Sequence, residues 1–346
     1  MITIIDANNL LHRYYYVGGL NKLNVFHDKN DKNDEILNYE IEHELRKEFG
    51  TRFEIEKEKF EQLKEKTNNE EMSGIIYGLL RKVISFFKNK QSNEFFIFVW
   101  DQKATRKLAL FSDYKADRIL QEDSLRRQRV CFQELLNILD IQHIQLVGEE
   151  ADDVIASLTV KARKQGHRVC IYSQDHDFEQ LISKNVTLLF ESGKTKIVKD
   201  LNYVREKYNI EPSSLGEVMQ LTGDSGDSVP GVNGVGIVNG TNLIKANGSI
   251  RNILRDVENA KTFNKKGEIV KVSSKLANSI EDAREQILLN KQLVVLNTSL
   301  SVPEIQTTIN PDWLKYYMFL YHYNLQSLMS LKSFNACRRA LCYTTI

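Results

Sequence analysis

Five short apolar runs, with helical patterns between most of them, constrain this chain more than any other feature. They are residues 2–5 (ITII), 95–100 (FFIFVW), 144–147 (IQLV), 168–172 (RVCIY) and 186–190 (VTLLF). Short runs rich in β-branched or aromatic residues, with little alternation, suit strands buried on both faces of a parallel sheet. Helical periodicity marks 72–88, a stretch across 120–139, and 151–166. The last begins with acids and ends with Lys164 and a glycine, the polarity that a helix favours. Strands alternating with helices predict an α/β domain with a mostly parallel sheet.

Ligands of an open parallel sheet sit at the carboxyl ends of its strands. Four of the five runs deliver acids there: Asp6, Asp101, then Glu150, Asp152 and Asp153, then Asp175 and Asp177. Each cluster alone has a plain structural reading, as helix-dipole or capping acids. Gathered at one edge, they repel one another by about several kcal/mol unless a cation neutralises them. All-oxygen donors select Mg²⁺ or Mn²⁺ over zinc. The stretch LTGDSGDSVPGVNGVG (221–236) adds Asp224 and Asp227, then Gly231, Gly234 and Gly236. Its acids can close the same site, and its glycines let backbone N–H groups approach a phosphate. The plain alternative is a solvated turn between two helices. The acids outnumber what one ion can use, and a pair of adjacent ions is the usual apparatus of phosphodiester hydrolysis.

With 47 basic and 46 acidic residues the net charge is +1, so contact with nucleic acid must come from local clustering. Such a cluster lies at 102–130: Lys103, Arg106, Lys107, Lys115, Arg118, Arg126, Arg127 and Arg129, interleaved with Phe111 and Tyr114. It suits a single strand or a 5′ end, and a solvated helical face is the alternative. No Ser/His or Cys/His nucleophile pattern and no P-loop is present. No apolar run reaches bilayer length, the N-terminus does not read as a signal peptide, and the four scattered cysteines read as reduced thiols, so a cytoplasmic location is expected. Residues 21–71, crowded with Glu and Lys, carry a sparse stripe of Phe49, Phe53, Phe60 and Leu63. They read as a charged helical insertion on the surface, so that replacing 28–68 by a short Gly/Ser linker is expected to leave metal-dependent hydrolysis largely intact.

The motifs IIDANNLLHR, VWDQKATR, SDYKADR, GEEADDVIASL, SQDHDFEQL and LTGDSGDSVPGVNGVG follow one another in that order. Together they resemble the 5′-nuclease family: flap endonucleases, phage 5′→3′ exonucleases and the N-terminal nuclease domain of bacterial DNA polymerase I. The resemblance covers 1–16 and roughly 72–255. It implies a PIN-like, mostly parallel central sheet flanked by helices, with a helical arch and a helix–hairpin–helix type DNA-binding subdomain. The implied domains are a nuclease core at 1–211 (insertion 21–71, arch region 102–140), a duplex-binding subdomain at 212–280, and C-terminal helices at 281–346 that pack back on the core.

The same resemblance implies the roles. Asp6, Asp101, Glu150 and Asp152 match a first metal site, and Asp175, Asp177 and Asp227 a second. Asp153 and Asp224 match acids beside the cluster that act through water. Lys115 and Arg118 match a catalytic basic pair that reaches the scissile phosphate, with Tyr114 placed to stack on a base. Arg13, Arg106 and the turn Gly231, Gly234 and Gly236 are implied DNA contacts, and K⁺ held by carbonyls at 231–236 goes with that turn. The implied function is a two-metal, Mg²⁺-dependent nuclease, with Mn²⁺ able to substitute. It would act as a monomer on DNA with a 5′ flap or 5′ end, or on an RNA–DNA hybrid, with no membrane partner and with any replication-protein partner unidentified. A host cytoplasm is implied if the chain is phage-encoded. The alternative is a non-catalytic, DNA-structure-binding replication factor on the same fold. Two features depart from the family pattern: GVGIVNGTN lacks the lysine usual after the glycine turn, and the 21–71 insertion exceeds the usual short loop.

Overall fold

The computed structural model describes residues 1–18, 32–64, 70–90, 93–116, 123–193, 195–323 and 325–342. Arg118 and the side chains of Phe60 and Leu63 lie outside the described residues. The strands are β1 (Ile2–Asp6), β2 (Phe95–Val99), β3 (His143–Ile144), β4 (Val169–Tyr172), β5 (Val186–Ser192), β6 (Thr195–Lys199), β7 (Lys261–Phe263) and β8 (Ile269–Lys271). The chain divides into two compact units. One comprises Met1–Asp6, Val99–Leu120 and Ile144–Pro303; the other comprises Ala7–Phe98, Gln121–His143 and Glu304–Ile346. Among the described residues no helix is long and apolar enough to cross a membrane.

In the first unit β1, β4 and β5 pair in parallel, with Ile2 opposite Val169 and Val169 opposite Val186. Every residue of β1 and β4 is buried, which is why their sequences run apolar without alternating. β6 returns antiparallel to β5. It escapes a search for apolar runs because TKIVK holds only two apolar residues and only Lys199 is buried. The helix Ala151–Lys164 packs on β1 and β4 through a face that includes Val154, Ile155, Leu158 and Ala162. The third expected strand is shorter than its apolar run: β3 ends at Ile144, and Val147 is 94% exposed. The chain turns at Gly148, where φ is +85° and a Cβ would lie 2.6 Å from Thr105 Oγ1, so glycine is required.

The rest of this unit is a helical subdomain. The helices Leu215–Thr222, Ile237–Asn247, Ile250–Arg255, Ser274–Asp282 and Arg284–Leu293 enclose a core that includes Val218, Leu221, Val235, Leu243, Ile280 and Ile287. The boundary expected at 280 therefore falls inside a packed bundle. Arg284–Leu293 packs on Leu215–Thr222, and the buried Asn290 donates to the carbonyls of Gln220 (3.0 Å) and Pro230 (2.9 Å). The β7–β8 hairpin is also absent from the sequence reading.

The second unit corrects the surface reading of the insertion. Ile41 and Leu45 are 1% exposed and Phe53 is wholly buried. The Phe53 ring lies 6.3 Å from that of Tyr317, on the helix Trp313–His322. Arg338 holds Glu48 with two 2.9 Å bonds, and Arg52 reaches Asp312 at 2.6 Å. Helices as polar as Lys32–Phe49 and Thr51–Lys64 need only a narrow apolar stripe when a partner is as large as Tyr317. Removing 28–68 would strip that stripe from the core, so the expectation of a harmless deletion is reversed.

Candidate active site

β1 and β4 are neighbours in parallel register, so their carboxyl ends meet. Asp6, the last residue of β1, accepts a 2.9 Å bond from Ser173, the residue after β4. Asp101 accepts from the backbone N–H of Ala151 (2.9 Å), at the start of the helix that carries Asp152. Past β4 the chain tightens into a short 3-10 turn, Asp177–Leu181. Asp175 accepts there from the N–H of Asp177 (2.9 Å) and donates its own N–H to Ser173 Oγ (3.1 Å). Asp224 accepts from the N–H of Gly226 (2.8 Å). These bonds fix the carboxylates from four separate segments.

The acids fall into two electrostatic groups. In the first, burial and the charges of Asp175, Asp6 and Asp101 push Asp152 well above the usual carboxyl range. Asp177 is pushed up to about 8 by burial and then by Asp175, Asp224 and Asp227. Asp224 is raised by burial and by Asp227. Like charges held this close are a donor set suited to a hard divalent cation. Among the described residues no three His, Cys, Asp or Glu side chains close on one point as a ready-made metal site. The fit therefore rests on the oxygen chemistry and mutual repulsion of the set.

The second group is already neutralised. Glu150, 2% exposed, accepts from Lys107 Nζ (2.6 Å), Tyr114 Oη (2.8 Å) and Lys115 Nζ. Burial alone would raise it, but the two lysines hold it at about 2. Asp153 is wholly buried and accepts from the N–H of Asn297 (2.7 Å) and from Arg106 (3.2 Å), with Lys107 at 3.4 Å. Asp153 therefore acts as an ion-pair partner that ties the helix to the 297 loop. That differs from the metal-adjacent role expected for it. Glu150 likewise faces cations and a phenol here.

Two expected DNA contacts are engaged by carboxylates of this same unit. Tyr114 is 3% exposed and donates to Glu150, with its hydroxyl also 3.0 Å from Asp227 Oδ2. Its ring is not presented for base stacking, and burial beside two carboxylates raises its phenol. Arg106 pairs with Asp153 and lies 3.6 Å from Glu149. Lys115 stays at the edge of the cluster, 3.5 Å from Asp227 Oδ2. Its φ of +56° is unusual for a lysine, and its N–H to the carbonyl of Asp227 (3.0 Å) holds that conformation. Arg13 is half-buried on the helix Ala7–Gly18 of the second unit.

At the glycine turn the three residues differ in purpose. A Cβ on Gly231 would lie 2.1 Å from the carbonyl oxygen of Thr222, so glycine there permits close chain packing. Gly234 (φ +78°) and Gly236 meet nothing within 4 Å and are exposed, flanking the buried Val235. Gly236 caps the helix Ile237–Asn247 with no side-chain bond, leaving a helix N-terminus open to an anion.

Lys107 is the residue that sequence reasoning placed wrongly, as one member of a basic surface. It is 5% exposed; burial pushes its ammonium down, but Glu150 and Asp153 more than offset that and raise it. Glu179 carries no mark in the sequence of the part it plays. It is 1% exposed, accepts from the buried Lys199 (2.6 Å), lies 2.8 Å from His176 Nδ1, and anchors the turn that carries Asp175 and Asp177. No spacing in the sequence marks either residue. Replacing Lys107 by Met should cost about 3–5 kcal/mol in urea denaturation, because Glu150 and Asp153 would lose their buried counter-ion.

An acid-lined edge of a parallel sheet, followed in the chain by a helical subdomain with an open glycine turn, defines a nuclease-like class of α/β protein. Comparison with known proteins narrows it. The 5′–3′ exonuclease N-terminal resolvase-like domain matches residues 55–209, and the 5′–3′ exonuclease C-terminal SAM fold matches 210–312. A 5′–3′ exonuclease of Buchnera aphidicola (subsp. Baizongia pistaciae) is 30% identical over 241 residues, 69% of this chain and 77% of that one. A 5′–3′ exonuclease of Aquifex aeolicus is 37% identical over 184 residues, 53% of this chain, and the matched region spans 63% of the relative's length. A bacteriophage T5 flap endonuclease, solved as a pseudo-enzyme–product complex with DNA and metal ions, aligns with a TM-score of 0.54 at 15% identity, over 97% of this chain and 99% of that one. That likeness speaks for the fold. The chain belongs to the 5′–3′ exonuclease family.

Proposed function

We propose that this chain hydrolyses phosphodiester bonds at 5′ flaps or near 5′ ends of DNA, with two Mg²⁺ ions as its cofactors. The observation that carries this reading is the group of carboxylates at the β1/β4 edge and the 224–227 turn, three of them raised by burial and by their neighbours' charges, with Lys115 beside them. Asp6, Asp101, Asp152 and Asp175 would hold one side of the ion pair, and Asp177, Asp224 and Asp227 the other. Such ions supply Lewis-acid activation of water and charge neutralisation at phosphate. Mn²⁺ fits the same donors. The chain's own residues do the rest. Lys115 brings a positive charge to the rim of the acid cluster, where a phosphate oxygen would gain charge. Lys107 and Tyr114 hold Glu150 in place behind it. The open N–H groups at Gly236 suit a phosphate of the duplex, and the carbonyls of the 231–236 turn are the place for K⁺.

The reading is tested on DNA carrying a labelled 5′ flap. Cleavage in Mg²⁺, none in EDTA and binding without cleavage in Ca²⁺ are expected. Binding with no cleavage in either Mg²⁺ or Mn²⁺ would make the chain a DNA-structure binder instead. A parallel substrate with an RNA 5′ segment reports on hybrid use. Lys115→Ala should lower the single-turnover rate by about 10²–10³-fold while shifting Kd only a few-fold, since its charge acts on the transition state. A loss confined to Kd would make Lys115 a phosphate anchor.

A further inference from the structure

The hairpin β7–β8 and the residues just after it (261–275) contain five lysines and one acid. Lys261 stands directly opposite Lys271 in the antiparallel register. Like charges in that position destabilise a two-stranded ribbon, a cost that an anionic partner would relieve. Lysines also protect strand edges from pairing, but Lys265 and Lys266 lie in the connecting turn, beyond the last strand pair. All four side chains are exposed.

The hairpin is held firmly at both ends. At its tip, Asn264 Oδ1 accepts from the N–H groups of Lys266 (2.9 Å) and Glu268 (3.0 Å), and its amide donates to Glu268 Oε2 (2.8 Å). The single acid is thereby turned to Asn264, and Lys265 and Lys266 sit on a built turn. At its base, Ala260 and Val272 are buried and paired at 2.9 Å. Asn247 also clamps Lys261 through both its N–H (2.9 Å) and its carbonyl (2.7 Å). Asn247 ends the helix that begins at Gly236, and Lys245 from the same helix lies 5.6 Å from the Phe263 ring. One helix of 11 residues therefore joins the open glycine turn to the basic hairpin. Its length is about 16 Å, close to five base-pair steps of duplex DNA.

We propose that the 261–271 hairpin is a second grip on the backbone of duplex DNA, through Lys261, Lys265, Lys266 and Lys271, spaced from the glycine turn by the helix Ile237–Asn247. The inference rests on the nuclease reading above, and its ligand is the phosphate backbone without regard to base sequence.

The test compares the full chain with a variant carrying Lys261→Ala, Lys265→Ala, Lys266→Ala and Lys271→Ala. Binding in Ca²⁺ to a 5′-flapped duplex and to single-stranded DNA of equal length is measured across salt concentrations. Each lost phosphate contact lowers the slope of log K against log salt by about 0.9, so a fall of about 2–4 is expected, with roughly 10–100-fold weaker duplex binding and little change on the single strand. An unchanged duplex slope in a variant that melts like the parent overturns the hairpin proposal. Equal losses on both DNAs overturn its duplex character. Should the four-fold variant melt lower, Lys265→Ala/Lys266→Ala at the tip alone must still lower the slope by about 1–2, and a failure to do so overturns it. A parent chain that binds neither DNA fails the nuclease reading itself, which the variant comparison keeps separate.

Discussion

Replacing Asp177 and Asp227 together by Asn should lower flap cleavage on the order of a thousandfold or more, while binding of the same DNA in Ca²⁺ survives. Asp177 is raised by burial and then by Asp175, Asp224 and Asp227, so it sits among several negative charges. Asn keeps the shape and removes the charge that holds a hard ion against its hydration. The glycine turn is untouched, and lower repulsion favours DNA approach. Metal-free stability supplies an independent check. A carboxyl at about 8 in the folded state and near 3.8 unfolded binds more protons when folded between those values. Its contribution therefore falls as pH rises from about 4 to about 8. In EDTA the double variant should melt above the parent at pH 8, with the difference shrinking toward pH 4. Near-parental cleavage would refute the metal assignment, and loss of DNA binding would make these acids structural.

The second large effect is on folding. Phe53→Ala should destabilise the protein by about 3–5 kcal/mol, read from a denaturant midpoint, because a wholly buried ring beside Tyr317 would leave a cavity. A change below about 1 kcal/mol would return the segment to the surface. Deleting 28–68 should go further and abolish cooperative unfolding of the second unit, as followed by tryptophan fluorescence from Trp313, 8% exposed and ringed by Tyr316 and Phe334.

Much of the site was legible because strand ends are local features. Asp6, Asp101, Asp175 and Asp177 each follow an apolar run within a few residues, and a parallel sheet brings such ends together whatever the rest of the chain does. The family motifs carried the same acids in the same order. The 221–236 stretch was legible for a similar reason, since its acids and glycines are contiguous and a turn is built from neighbours.

What each ionised group faces was decided by the tertiary fold. Lys107 and Lys115 are eight positions apart in one basic segment, and both reach Glu150, which lies 35 residues beyond Lys115. Only packing separates the buried lysine from the one at the rim, because burial depends on residues far away in the chain. Beside Lys115 in a basic segment Tyr114 reads as a base-stacking ring, yet its hydroxyl lies between Glu150 and Asp227, the latter 113 residues away. The 21–71 segment shows the same limit. Its charge was local and correctly read as helical, but the partner of Phe53 lies 264 residues later at Tyr317, so no local pattern could report that its narrow stripe was core. By itself the sequence determined the α/β alternation, the acid edge and the glycine turn, all products of short-range order. Burial, counter-ion choice and the basic hairpin's place at the end of the turn's own helix depend on contacts between distant segments, and only the folded chain decided them.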